Sequence, residues 1–231
     1  MGKLDNKVAI VTGGNAGVGK EIAKLFASEG AKVVISARRQ QVLEEVAKEI
    51  EAAGGTVLCV PTDISKVDDV KNLVSKTVET FGQLDILINN AAVLVQKGTM
   101  YCMSEALKVM KSGASIVNIS SVAGQYGAGG AVYVSTKAAI IGVTKHAAMR
   151  FAKEKIRCNV ICPGSITTDM AAGLTPDTMD MKMMGAMSAH SDLSLQPCSP
   201  LDVAKVALFL ASDDAAPLTG QVVVSDYGVD L

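Results

Sequence analysis

Tryptophan is missing from this 231-residue chain, and aromatic residues supply only 3% of it. With 49% of residues apolar, the interior has to be built from Val, Ile, Ala and Leu, which suits parallel strands buried on both faces. An excess of charge is lacking as well: the formal net charge is −1 and the 22 basic residues are dispersed. That excludes a basic nucleic-acid face. The cysteines (Cys59, Cys102, Cys158, Cys162 and Cys198) are odd in number and form no Cys-x-x-Cys pair. A disulfide scaffold is therefore excluded, and buried free thiols in a reducing compartment are expected. His146 and His190 have no metal-ligand spacing, so no metal site is expected. Neither an apolar targeting core near the N-terminus nor a run of membrane-spanning length is present, so no membrane contact and a cytoplasmic location are expected. Without linkers, repeats or low-complexity segments, residues 1–231 read as one domain.

Apolar β-branched runs alternate with segments of helical period. Strands are expected at 7–12, 32–37, 56–60, 84–88, 114–119, 156–161 and 220–224. Helices are expected at 17–29, 40–53, 66–80, 99–111, 132–153 and 200–212, the last opened by Asp202 behind Pro200. Strict alternation predicts an α/β fold, a doubly wound parallel sheet of seven strands with right-handed crossovers. The Met-rich stretch 169–198 lacks a clear period and follows the sixth strand. It reads as a substrate lid or a contact between subunits.

Thr12-Gly13-Gly14-Asn15-Ala16-Gly17-Val18-Gly19 joins the first strand to the first helix. Gly13 allows a sharp turn off the strand, Gly17 lets the backbone approach a pyrophosphate, and Gly19 lets the helix pack on the strand it has left. The helix N-terminus then faces the anion, as a dinucleotide site requires. At the end of the second strand Ala37 stands where an acid would accept hydrogen bonds from a ribose, and Arg38 and Arg39 follow. A guanidinium there suits a 2′-phosphate, which predicts NADP(H) over NAD(H). The bland alternative is a pair of arginines at a loop. Tyr133 and Lys137, four apart on a helical segment, share one face after a strand and a Gly-rich turn. That spacing alone is weak. Its chemistry is apt, because an ammonium lowers the pKa of a neighbouring phenol from its ordinary ~10 and lets it exchange a proton with an alkoxide.

Together with Asn89-Asn90-Ala91-Ala92, Asn118-Ile119-Ser120-Ser121 and Pro163-Gly164-x-Ile166-x-Thr168, these motifs resemble the short-chain dehydrogenase/reductase family over about residues 5–226. The resemblance implies a Rossmann-type fold and an oxidoreductase that moves a hydride between a nicotinamide cofactor and a small-molecule carbonyl or alcohol. It implies that Tyr133 is the acid/base, that Lys137 also holds the nicotinamide ribose, and that a serine polarises the carbonyl. Ser121 lies 12 residues before Tyr133 and Ser120 lies 13 before it. The family spacing favours Ser120 and the Asn-x-Ser-Ser register favours Ser121, the residue taken here. Further cofactor contacts are implied for Gly13, Asn15, Gly17, Val18, Gly19, Asp63, Ile64, Asn90, Pro163, Gly164, Ile166 and Thr168, and a homodimer or homotetramer for the assembly.

One departure stands out. Val93-Leu94-Val95-Gln96 runs directly into Lys97-Gly98, where the family carries a further helical stretch ending in an Asn that completes a catalytic tetrad. Two explanations stay open: a true deletion, or a segment skipped by the numbering, which a Gln96–Lys97 Cα separation well beyond about 3.8 Å would reveal. The deletion motivates the rival reading, a catalytically weak NADP(H)-binding regulatory or partner subunit.

Overall fold

A computed structural model describes residues 2–91, 97–167, 181–192 and 194–229. Seven parallel strands, β1 (Val8–Thr12), β2 (Lys32–Ala37), β3 (Thr56–Pro61), β4 (Ile86–Asn89), β5 (Ser115–Ile119), β6 (Arg157–Pro163) and β7 (Val222–Ser225), form one sheet. Their order is β3-β2-β1-β4-β5-β6-β7. The strands β1, β4, β5 and β6 are buried at every position, which explains why their apolar runs do not alternate. Pro61 and Pro163 fall at the ends of their strands, where a missing N–H is tolerated.

The helices are α1 (Gly17–Ser28), α2 (Gln40–Ala52), α3 (Val67–Phe81), α4 (Lys97–Ala106), α5 (Val122–Tyr126), α6 (Ala131–Arg150), α7 (Met181–Ser188) and α8 (Pro200–Ala211). One face of the sheet is covered by α1, α2 and α8 through Ile22, Phe26, Leu43, Ile50, Val203 and Leu210. The other is covered by α3, α4 and α6 through Leu73, Val74, Met103, Ala106, Ala147 and Ala148. The strand order reverses between β1 and β4, so the carboxyl ends of these two strands open the crevice in which such sheets bind ligands.

Several local expectations shift. The fourth helix spans 97–106 rather than 99–111, and residues 107–109 continue as a turn. Ser199, not Asp202, opens α8: its hydroxyl accepts from Asp202 N, and the Asp202 carboxylate answers the Ser199 N–H in a capping box, with Pro200 following. The helices α5 and α7 were not anticipated, and Asp213-Asp214 sits in a single 3-10 turn. Four cysteines are buried as expected, whereas Cys59 on the edge strand β3 is half-buried; all five are free thiols.

Candidate active site

The glycine turn is held from both neighbouring strands. Gly13 N and Gly14 N donate to the Ser36 carbonyl at 2.7 and 3.2 Å. From the β4 side, Asn90 Nδ2 donates to the carbonyls of Thr12 and Gly13 at 3.1 and 3.3 Å, while Asn90 N and Ala91 N both donate to Thr12 Oγ1 at 3.1 Å. Gly13 has φ +68°, and a Cβ on Gly19 would collide with the Gly13 carbonyl oxygen and the Asn90 amide nitrogen. Side chains are therefore excluded where α1 meets β1. No side chain caps the first turn of α1, and no acid lies in it, so its N–H groups and the positive end of its dipole face the crevice. A cradle that a Cβ would fill, ending in uncapped N–H groups, fits a pyrophosphate. Asn15 and Gly17 lie on this turn, and Val18 is buried behind it.

Arg38 and Arg39 follow β2 and are exposed, and neither forms an ion pair among the described residues. Arg39 occupies the N-cap position of α2 without capping it. Asp63 stands at the same edge after β3. Its carboxyl is held below the usual range first by hydrogen bonds from the Ser65 hydroxyl and N–H, then by the charges of Lys66 and Arg38. The Ile64 side chain is buried against α4 at Gly98, so this residue can offer a ligand its backbone and not its side chain. After β6, Gly164 N donates to the Ser225 carbonyl at 3.0 Å, and Ile166 bridges to Cys198. Thr168 lies outside the described residues.

At the carboxyl end of β5, Ser120 and Ser121 behave differently. The Ser120 hydroxyl is buried and donates to the Lys137 carbonyl at 2.7 Å. Ser121 is half-buried and N-caps α5, its oxygen accepting from Ala123 N at 3.2 Å, which leaves its O–H to donate elsewhere. Tyr133 is 40% exposed, and the Lys137 ammonium lies 5.7 Å from its ring centroid. Lys137 itself is only 7% exposed and donates to the Ile119 carbonyl at 3.2 Å. Burial pulls its pKa down to about 8, opposed by the nearby Cys162 thiol.

Gly124, which was not singled out from the sequence, sets the spacing of this corner. A Cβ on it would lie 2.5 Å from the Lys137 carbonyl carbon and 2.7 Å from Ala138 N, so α5 and α6 touch through backbone there. The available signal was a glycine inside a helix three residues after its cap. A cleft of about 740 Å³ opens between the turn at Tyr126, Gly127 and Ala128 and the segment bearing Met183, Met187 and His190. Tyr133 is not among the residues that line it. Met170, Met179 and the rest of 168–180 lie outside the described residues, as does Gln96, and with it the Gln96–Lys97 separation. Among the described residues no cluster of three or more His, Cys, Asp or Glu could hold a metal ion, and no helix is long and apolar enough to cross a membrane.

Residues 7–179 match the family model described as short chain dehydrogenase. A 3beta-hydroxysteroid dehydrogenase of Mediterraneibacter gnavus is 34% identical over 265 aligned positions, covering 99% of this chain and 96% of that protein. That alignment is longer than the 231 residues here, so one or both proteins carry segments the other lacks. A short chain dehydrogenase from Burkholderia cenocepacia in complex with NADP superposes with TM-score 0.86 at 27% identity, covering 98% of each chain. A 7 alpha-hydroxysteroid dehydrogenase complexed with NADH and 7-oxo glycochenodeoxycholic acid does so with TM-score 0.87 at 29% identity, covering 99% of this chain and 96% of that one.

Proposed function

Since this chain belongs to the short-chain dehydrogenase/reductase family and is an NAD(P)-dependent oxidoreductase, we propose that it works with NADP(H) on a small or medium, largely apolar carbonyl or alcohol, using Ser121, Tyr133 and Lys137. The observation that carries this reading is the buried Lys137 ammonium under the Tyr133 ring, at the same sheet edge as the glycine turn.

The cofactor, when bound, supplies or accepts the hydride. The turn from Gly13 to Gly19 and the first N–H groups of α1 would hold its pyrophosphate, Arg38 would take the 2′-phosphate, and Asp63 and the Ile64 backbone would meet the adenine side. Asn90 fixes the turn through its amide, and Pro163, Gly164 and Ile166 would border the nicotinamide end. In reduction, Tyr133 gives its hydroxyl proton to the developing alkoxide, and the Lys137 ammonium favours the phenolate left behind. Ser121 is assigned the hydrogen bond to the carbonyl oxygen, because its O–H is uncommitted while that of Ser120 is spent on Lys137. The substrate lid is assigned to the segment bearing Met183 and Met187, and these methionines at the cleft suit an apolar substrate that the site must adapt to. A cytoplasmic homodimer or homotetramer belongs to the same reading.

The test is oxidation of NADPH and NADH against a panel of ketones, aldehydes, quinones and steroids, with Tyr133→Phe as the control. Turnover must vanish in that variant while NADPH binding stays nearly intact; turnover retained by Tyr133→Phe overturns the assignment. The shortened stretch before Lys97 supports a second reading, a cofactor-binding subunit of little activity. NADPH binding without turnover anywhere on the panel would establish it.

A further inference from the structure

The turn that leads from α5 into α6 has almost no side chains. Residues 127–130 read Gly-Ala-Gly-Gly, so nothing larger than a methyl group projects from them. Gly127 has φ +79° and Gly129 φ +145°, conformations that L side chains rarely adopt, so the bareness is built into the backbone. Gly129 abuts the proposed reaction centre: a Cβ on it would lie 3.6 Å from Cδ1 of the Tyr133 ring. Gly127 and Ala128, immediately before it, line the cleft of about 740 Å³ together with Tyr126. One stretch of bare backbone therefore joins the phenol ring to the cleft.

The other wall is of a different kind. Met183, Ala186 and Met187 stand at i, i+3 and i+4 on α7 and share one face of it. No residue of α7 is fully buried, so this apolar stripe is not spent on the core. Thioether side chains adapt to what they meet, whereas the glycine turn is fixed. A bare, fixed wall opposed by an adaptable one suits a flat, rigid ring system. The volume points the same way, since it falls among pockets that enclose drug-sized ligands and exceeds what a small acyclic ketone fills. Beyond the end of α7 the lining turns polar, with His190 and Asp192. Asp192 N donates to the Val229 carbonyl at 2.8 Å, which ties this segment to the chain after β7. The Asp192 carboxylate accepts from the Ser194 hydroxyl at 2.6 Å and the Ser194 N–H at 3.0 Å, bonds that hold its pKa below the usual range and keep it ionised. The His190 imidazole has no hydrogen-bond partner among the described residues.

We infer that the cleft takes the body of the substrate, a flat, rigid, apolar ring system with a hydrogen-bond donor besides the reacting group, and that His190 and Asp192 accept this donor and turn away a carboxylate. The inference rests on the function proposed above and narrows its substrate to this class. The selection follows from charge. An ionised Asp192 accepts from a hydroxyl or an ammonium and repels an acid, and no Lys or Arg lines the cleft to offset it. The imidazole adds an acceptor whose capacity is not used elsewhere.

Phenols that take no part in hydride transfer test the cleft apart from catalysis. Isothermal titration calorimetry of the full chain near neutral pH, with and without NADP, compares 2,6-dihydroxynaphthalene, which has a hydroxyl at each end, with 6-hydroxy-2-naphthoate, which has a carboxylate at one. The diol should bind about tenfold more tightly than the acid. Asp192→Asn should close most of that gap by raising affinity for the acid. Ala128→Leu, which sets a side chain on the bare wall, should weaken the diol about tenfold. Melting temperatures show that the variants are folded, and Met187→Lys replaces Ala128→Leu if that variant is not. No binding of the diol, equal affinities, a preference for the acid, or a diol affinity untouched by the wall variant overturns the inference. Neither naphthalene is turned over, so this result stands even if the carbonyl panel shows no activity, in which case the function proposed above fails on its own. In an active enzyme, 6-hydroxy-2-tetralone should exceed cyclohexanone in kcat/KM by at least about tenfold, and equal values overturn the inference as well.

Discussion

Gly124 lies against Lys137 so closely that a Cβ on it would meet the lysine carbonyl carbon at 2.5 Å. The obstacle is backbone and not the end of a flexible side chain, so Gly124→Ala has to push α5 away from α6. Overpacking of this kind costs about 1–3 kcal/mol. Because Ser121 caps α5 and α6 carries Tyr133 and Lys137, the same shift would misplace the hydroxyl relative to the phenol. The expected outcome is a fall in kcat of roughly ten- to a hundredfold, larger than any change in NADPH affinity. Steady-state kinetics beside a cofactor titration check it.

Lys137 should leave a signature in stability as well as in rate. Its pKa falls from 10.5 to about 8 on folding because burial penalises the charge. Between these values the unfolded chain binds more protons than the folded one, so stability contributed by this group rises with pH through that window. Below about pH 8 the buried charge exacts its full cost, on the order of 3 kcal/mol. Lys137→Met should therefore be more stable than the wild type near pH 7.5, and the difference should shrink towards pH 10. Urea midpoints at the two pH values test this, and a constant difference would mean that the lysine does not titrate in that window.

What the sequence disclosed follows from how far each signal reaches. The parallel sheet was legible because β-branched runs such as Val8–Thr12 and Lys32–Ala37 alternate with helices of clear period, and the glycine turn sits between the first pair. The helix Val122–Tyr126 has five residues, too few for a period to register. Helix Met181–Ser188 buries no residue fully, so no apolar stripe announced it. Counting residues could not separate Ser120 from Ser121, because the difference lies in which hydroxyl folds onto the Lys137 carbonyl. The buried hydrogen bonds from Asn89 Nδ2 to Asn118 Oδ1 and from Asn118 Nδ2 to Thr144 Oγ1 were equally out of reach, since β4, β5 and α6, far apart in sequence, have to meet before they exist.

The cap of α8 offers a control that touches no proposed site residue. Ser199 Oγ accepts from Asp202 N at 3.2 Å, and the Asp202 carboxylate is held low chiefly by the hydrogen bonds that the Ser199 hydroxyl and N–H donate to it at 2.7 and 2.8 Å. Ser199→Ala should cost about 1 kcal/mol and lower the melting temperature by roughly 2–4 °C, with turnover unchanged at temperatures well below unfolding. Calorimetry measures the first effect, and a kcat altered severalfold would show that the cap reaches the site.

Cofactor choice turns on two neighbouring side chains after β2. Ala37 is half-buried, and the exposed Arg38 guanidinium has no ion-pair partner among the described residues. A 2′-phosphate brings charge that the arginine can pair bidentately, while a free ribose brings hydroxyls that an acid would accept better. Ala37→Asp places a carboxylate against the phosphate and should weaken NADPH binding at least tenfold while strengthening NADH binding. Arg38→Ala should lose NADPH affinity without gaining NADH affinity, because it removes an attraction and adds no acceptor. Fluorescence titration with both cofactors distinguishes the two effects. Equal losses for NADPH and NADH in Arg38→Ala would mean that the guanidinium meets a part of the dinucleotide common to both, and the preference for NADP(H) would then have no support from this residue.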